Sequence, residues 1–151
     1  MEACLNAAKK LVPQHISQPS NHKGTTVSNL TLSQLPAIGA PLEGGSFAGI
    51  TTQPDGTHCA VVLLPAHGTD LDWSAAKAWA ADQGGELPSR PVAALLFANV
   101  KAQLRPEWHW TADEYSASYA WNCDFYDGYQ GDLPKSDGGG AVAVRLIHLT
   151  A

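Results

Sequence analysis

Between Asp70 and Pro106 the chain carries two helix patterns in succession with β-type runs on both sides, and this order constrains the fold more than any other feature. In DLDWSAAKAWAADQGG, Trp73, Ala76, Trp79 and Ala80 recur at helical spacing, Asp70 or Asp72 suits the N-cap, and Gly84-Gly85 ends the pattern. In PSRPVAALLFANVKAQLRP, Ser89 suits the N-cap and Pro91 the first turn, while Val92, Leu95, Leu96 and Val100 line one face until Pro106. Upstream, SFAGITT and HCAVVLLP flank Gln53-Pro54-Asp55-Gly56, where Pro sets φ and Gly accepts the left-handed position, which predicts a hairpin. Downstream, Trp108–Thr111, Ser118–Phe125 and Ala141–Leu149 read as strands, with Gly128, Gly131 and Gly138 to Gly140 supplying bends. The order hairpin, helix, helix, sheet predicts an α+β fold with both helices packed on the sheet.

The 151 residues suit one domain. Residues 1–44 differ in texture, being rich in Ser, Thr, Pro, Asn and Gly after a short helix pattern at Cys4 to Leu11. They are expected to form an extended N-terminal arm, with a strand near Thr26 to Leu32, that docks on the domain or on a neighbouring subunit as an oligomerisation segment. The compact domain is expected over residues 45–151. The opening MEACLNAAKKLVPQH lacks the apolar core of a signal peptide, and no run is long enough to insert in a membrane. Cys4, Cys59 and Cys123 show neither a metal-type spacing nor a disulfide framework, which points to a reducing compartment.

Charge is unevenly placed. The net charge is −5, yet Glu107, Asp113, Glu114, Asp124, Asp127, Asp132 and Asp137 lie in a stretch whose one base is Lys135. Nucleic-acid affinity depends on Lys and Arg neutralising phosphates, so neither nucleic acid nor an anionic membrane is an expected partner. Within that stretch, strand alternation directs Tyr119, Trp121, Cys123 and Phe125 to a core face and Ser118, Asn122, Asp124 and Tyr126 to the opposite one. Cys123 then reads as a small buried hydrophobe rather than a nucleophile. The carboxylates read as a solvated rim rather than an acid/base pair. His109, between two Trp, projects opposite them and reads as a surface or hydrogen-bonding histidine rather than a metal ligand. The three glycines at 138–140 precede a strand, unlike a phosphate-binding loop. No catalytic group, metal or cofactor is expected.

What stands out is the outward set Tyr115, Ser116, Ser118, Asn122, Asp124, Tyr126, Asp127, Tyr129, Gln130, Asp132, Ser136 and Asp137. All four tyrosines of the chain fall between 115 and 129. Tyr supplies large, stiff, amphipathic contact area and Ser, Asn, Asp and Gly adaptable hydrogen bonds, the mixture found in recognition surfaces. An ordinary polar sheet face with aromatic cross-strand pairs is the alternative.

The ordered series Trp79, Leu87-Pro88-Ser89-Arg90, Leu95, Trp108-His109-Trp110-Thr111, Ala120-Trp121, Phe125, Gly128, Lys135 and Val144-Arg145-Leu146-Ile147 resembles the DUF1566 group of C-type-lectin-like domains over residues 46 to 149. LPAIGAPLEGG is similar to the lead-in of phage and prophage members. The resemblance implies a C-type-lectin-like fold of two helices on a mostly antiparallel mixed sheet, with the ligand-binding region in the segment before the last strand. In the variable proteins of diversity-generating retroelements that segment is randomised at adenine-containing codons on a Trp, Cys and Phe framework, and the composition of 115 to 137 is similar to such an outcome. Calcium-dependent lectins carry adjacent Asn and Asp after Trp and an EPN-type loop. Here Cys123 separates Asn122 from Asp124 and there is no EPN, so calcium and sugar specificity are not carried over.

The resulting expectation is a non-catalytic receptor-recognition protein of a phage tail, located in the virion or in the cytoplasm before assembly. It would bind a protein or glycan receptor on a cell surface, and a homotrimer would suit a fibre tip. Trp108, Trp110, Trp121, Phe125 and Arg145 would be scaffold, Arg145 holding a carboxylate beneath the surface. Two other readings remain: a structural or oligomerisation domain of a virion, and an enzyme of the formylglycine-generating type or a glycan hydrolase.

Overall fold

The computed structural model of the protein describes residues 29–151. The helix expected at Cys4 to Leu11 lies outside them. The described chain forms β1 (Asn29–Thr31), β2 (Pro41–Leu42), β3 (Gly45–Thr52), β4 (His58–Leu71), α1 (Trp73–Asp82), α2 (Arg90–Val100), β5 (Trp108–Glu114), β6 (Tyr119–Asp124), β7 (Gln130–Pro134) and β8 (Gly139–Thr150). The protein is α+β, with two helices on a mixed, mostly antiparallel sheet ordered β2-β3-β4-β8-β5-β6-β7. Two pairings are parallel: β1 with β8, and β5 with β8.

The first hairpin and both helices begin or end where local chemistry directs. The β3–β4 hairpin turns at Gln53 to Gly56, where the Gly56 N–H donates to the Gln53 carbonyl at 2.9 Å and the Asp55 carboxylate accepts from the Thr57 N–H. Asp72, not Asp70, caps α1, accepting from the Ala75 N–H at 2.8 Å. Gly84 follows that helix at φ +87°, which L side chains rarely adopt. Ser89 caps α2, with Pro91 in its first turn.

The helices cover opposite faces of the sheet. Trp73, Ala76 and Ala80 of α1 pack with Ala60, Val62, Leu64, Ala141 and Ala143. Val92, Ala93, Leu96 and Val100 of α2 pack with Val61, Leu63, Val142 and Val144. β4 and β8 are therefore buried on both sides, which accounts for their unbroken apolar runs. The N-terminal arm expected over 1–44 enters this framework from Asn29 onward: β1 extends the edge of β8 and Leu30 is buried in the α1-side core.

Two strands go beyond the sequence expectation. β4 continues past Leu64 to Leu71, through residues with no alternating pattern, because β8 pairs with it along that length. β7 forms from the glycine- and acid-rich segment after Tyr129, held by pairing with β6 from Tyr119↔Pro134 to Cys123↔Gln130.

Arg145 also differs from expectation. Its guanidinium donates to the Glu43 carbonyl at 2.7 Å and the Gly84 carbonyl at 3.3 Å, so it ties two turns together through backbone oxygens rather than holding a carboxylate. Both turns contain left-handed residues, Glu43 at φ 45° and Gly84 at φ 87°, whose carbonyls are thereby satisfied.

Phe125 and Tyr126 are neighbours with opposite fates, at 1% and 68% exposure. Phe125→Ala should cost about 3–5 kcal/mol, while Tyr126→Ala should stay within about 0.5 kcal/mol, as read from urea unfolding midpoints.

Candidate functional site

β5, β6 and β7 form an antiparallel ladder whose connections carry most of the candidate residues. In the β5–β6 connection, the Tyr115 and Ser116 N–H groups donate to the Tyr119 carbonyl at 3.0 Å, and Ser116 Oγ accepts from the Tyr119 N–H. In the β6–β7 connection, Asp124 Oδ1 accepts from the Tyr126 N–H at 2.9 Å and Asp127 Oδ1 from the Tyr129 N–H at 3.0 Å. Gly128 sits there at φ +85°, with the Phe97 ring of α2 against its bare Cα. The two aspartates thus shape the loop that presents Tyr126 and Tyr129.

Tyr115, Tyr119, Tyr126 and Tyr129 are 55%, 40%, 68% and 69% exposed. They divide between the two ends of β6, separated by about 17 Å at strand rise. Tyr115, Ser116 and Ser118 lie at one end; Asp124, Tyr126, Asp127 and Tyr129 lie at the other. Ser136 and Asp137 are exposed in the connection from β7 to β8, and Asp132 is exposed on the edge strand.

The expected alternation along β6 holds only on the α2 side. Cys123 and Phe125 pack under α2, but Tyr119 is exposed rather than framework. The opposite face is not uniformly displayed either: Ala120 is buried, and Asn122 is 6% exposed. The cause is the neighbouring strand, because Trp110 pairs with Asn122 and Trp108 with Asp124, which puts both indoles beside that face. His109 likewise is no surface residue. It is fully buried against Phe125, with ring centroids 4.8 Å apart, and its Nδ1–H donates to the Glu107 carbonyl at 2.8 Å.

Gln130 is committed internally. Its Nε2 donates to the Arg90 carbonyl and its Oε1 accepts from Arg90 Nε, both at 2.9 Å. Arg90 also stacks on Trp121 at 3.5 Å, and Tyr115 meets the same indole edge-on at 5.2 Å. Asp113 accepts from the Arg90 N–H, fastening the start of α2 to β5. The far end is held by Lys135, whose ammonium pairs with Glu114 and donates to the Ala117 carbonyl. That pairing holds the Glu114 carboxyl below its ordinary range.

Asn122 and Asp124 share a face, as alternation requires, and both line a hollow of about 320 Å³ with Trp108, Tyr129, Asp132 and Leu133. α1 packs on β4, β8 and β5, and its first residue reaches the end of β7, where the Trp73 N–H donates to the Lys135 carbonyl at 3.0 Å. Gly131, directly across from Asn122, contributes no side chain, and a Cβ there would lie 2.9 Å from the Tyr129 ring. Trp108 and Leu133 are the wall residues that sequence reading did not assign to the ligand surface. Nothing local marks them; their place depends on cross-strand register.

Cys123 is buried, and desolvation pushes its thiol up to about 11. At neutral pH it is a thiol, not the thiolate a nucleophile needs. Among the described residues, no three or more His, Cys, Asp or Glu side chains gather into a potential metal-binding group. No described helix is long and apolar enough to cross a membrane.

Burial pushes the His109 imidazole below its ordinary value of 6.5, and its Nε2 has no hydrogen-bond partner among the described residues. The unfolded chain therefore takes up this proton more readily than the folded one, so the stabilisation is present above about pH 6.5 and is lost as pH falls. Thermal melts from pH 8 to 5 should show a falling midpoint, with a shallower slope in His109→Gln.

No family model matches the chain, and no curated protein matches it.

Proposed function

We propose that the protein is a non-catalytic recognition module: a C-type-lectin-like scaffold, phage or prophage encoded, that displays a diversified surface at a tail-fibre tip. Its partner would be a protein or glycan receptor on a cell surface, bound through residues 115 to 137. The observation that carries this reading is the exposure of all four tyrosines, Tyr119 at the start of β6 and the other three on connections pinned by backbone and aspartate hydrogen bonds. Exposed rings on a stiff frame lose little conformational freedom on binding, so more of their contact energy remains as affinity. The two helices on a mixed sheet, and the position of 115–137 immediately before β8, fit the resemblance to the DUF1566 group.

The protonated, buried thiol of Cys123 favours binding over covalent chemistry. A second surface supports assembly. Leu32, Ile50 and Leu149 line an apolar hollow at the far end of β8, about 30 Å along the strand from Gly139. Leu32 is 62% exposed and Ile50 42%, which suits self-association, such as a homotrimer, away from the tyrosines.

Replacing Tyr126 and Tyr129 together by Ala should abolish adsorption of the labelled protein to a panel of bacterial envelopes while leaving the melting temperature nearly unchanged. A large loss of stability would assign the pair to the core instead. Turnover in a hydrolase or oxidase screen that disappears with Asp124→Asn would replace the binding reading by an enzymatic one. The genomic signature expected is a near-copy of the codons for residues 110 to 147, differing only at adenines and lying beside a reverse transcriptase gene.

A further inference from the structure

The hollow floored by Asn122 is chemically one-sided. Its walls offer two aromatic rings, Trp108 and Tyr129, the carboxylates of Asp124 and Asp132, and the amide of Asn122, but no cation. Asn122 is more than nine-tenths buried and lines the hollow; the enclosed side-chain atoms left without a partner among the described residues are His67 Nδ1 and His109 Nε2, so the Asn122 amide still reaches the open space of the hollow. There it can exchange water for a bound group that hydrogen-bonds to it. Asp124 commits Oδ1 to the Tyr126 N–H, whereas the Asp132 carboxylate, exposed on the edge strand, accepts no hydrogen bond from the described residues.

We propose that this hollow receives the guanidinium of an arginine side chain presented by a partner protein. The inference rests on reading 115–137 as the ligand surface and adds the chemistry of the ligand. A planar guanidinium can lie against an aromatic ring while its fork donates to a carboxylate and to an amide oxygen. A lysine ammonium, a compact point charge, makes poorer use of this combination. A neutral sugar would use the rings and the amide but leave both carboxylates without a counter-charge.

The opposite face of the same strands holds an internal example. Arg90 stacks on Trp121 at 3.5 Å while its Nε donates to the Gln130 side chain at 2.9 Å. β6 and β7 thus already bind one guanidinium through an aromatic face and an amide oxygen. The hollow adds two carboxylates to that arrangement.

The test is an NMR titration of the full chain with the capped peptide Gly-Arg-Gly, its neutral citrulline isostere and a panel of methyl glycosides. The arginine peptide should shift the Asn122 side-chain amide and the Trp108 indole saturably, at least tenfold more tightly than the citrulline peptide. Asp132→Asn, at an exposed position, should weaken it several-fold with an unchanged melting temperature, and Asn122→Leu should remove it. Equal binding of the citrulline peptide, or glycosides moving these resonances while the arginine peptide does not, would overturn the proposal. If the double tyrosine replacement abolishes envelope adsorption but the arginine peptide leaves both resonances unmoved, this inference fails and the surface reading stands. If the peptide binds in the hollow but the tyrosine replacement leaves adsorption intact, the pocket stands and the wider surface does not.

Discussion

The burial of β4 and β8 on both faces is the constraint on which the rest of the structure depends. Alternate residues of Ala60 to Leu64 and of Ala141 to Val144 belong to two separate cores, one under α1 and one under α2. Each strand therefore stabilises both layers at once. Neither helix could leave without exposing the face of a strand that the other helix also needs. The β5-β6-β7 ladder hangs from this centre through β5, whose contact with β8 is the single parallel bridge His109↔Gly140.

That narrow connection is reinforced by side chains. The Trp73 indole donates to the Thr111 carbonyl and the Trp110 indole to the Leu71 carbonyl, both at 2.8 Å, bridging the helix and strand segments on the two sides of the junction. His109 fills the space beside Gly140, where a Cβ would lie 3.0 Å from the ring. Arg90 then joins α2 to β7 through Gln130 and to β6 through Trp121. These contacts make the ladder a firm platform, covered by α2 on one face and only in part by α1 on the other. The part of that face left open, around Asn122 and Asp132, is where side chains can meet a partner.

Within that platform, charge and shape divide by position rather than by residue type. Asp124 and Asp127 shape a loop, Glu114 pairs with Lys135, and Asp132 is left at the rim of a hollow. Similarly, Gln130 braces α2 while Asn122 floors the hollow, although both are neutral amides in the segment 115–137. Composition treats these residues as equivalents. Register separates them, because a one-residue step along a strand moves a side chain to the other face.

Much of the fold was legible in the chain itself. Helix caps at Asp72 and Ser89, the stop at Gly84, the Pro54-Asp55-Gly56 turn and the apolar periodicities are local effects, decided within about one turn of the residues concerned. The gathering of tyrosines and acids between 107 and 137 was plain in the same way, as was the outward position of Tyr115, Tyr126 and Tyr129. What local pattern could not supply was anything that depends on a neighbouring strand. Alternation placed Asn122 outside and Tyr119 inside. The pairing of Trp110 with Asn122, and the position of Tyr119 at the very start of β6, reversed both. His109 was buried, β7 was formed, and Trp108 and Leu133 were brought to the site by strand register. The sequence by itself determined the elements and the chemical inventory, since capping, turn formation and hydrophobic spacing are local interactions. Tertiary structure alone decided which amides and carboxylates remain available to a ligand, since burial and hydrogen-bond partners are set by residues distant along the chain.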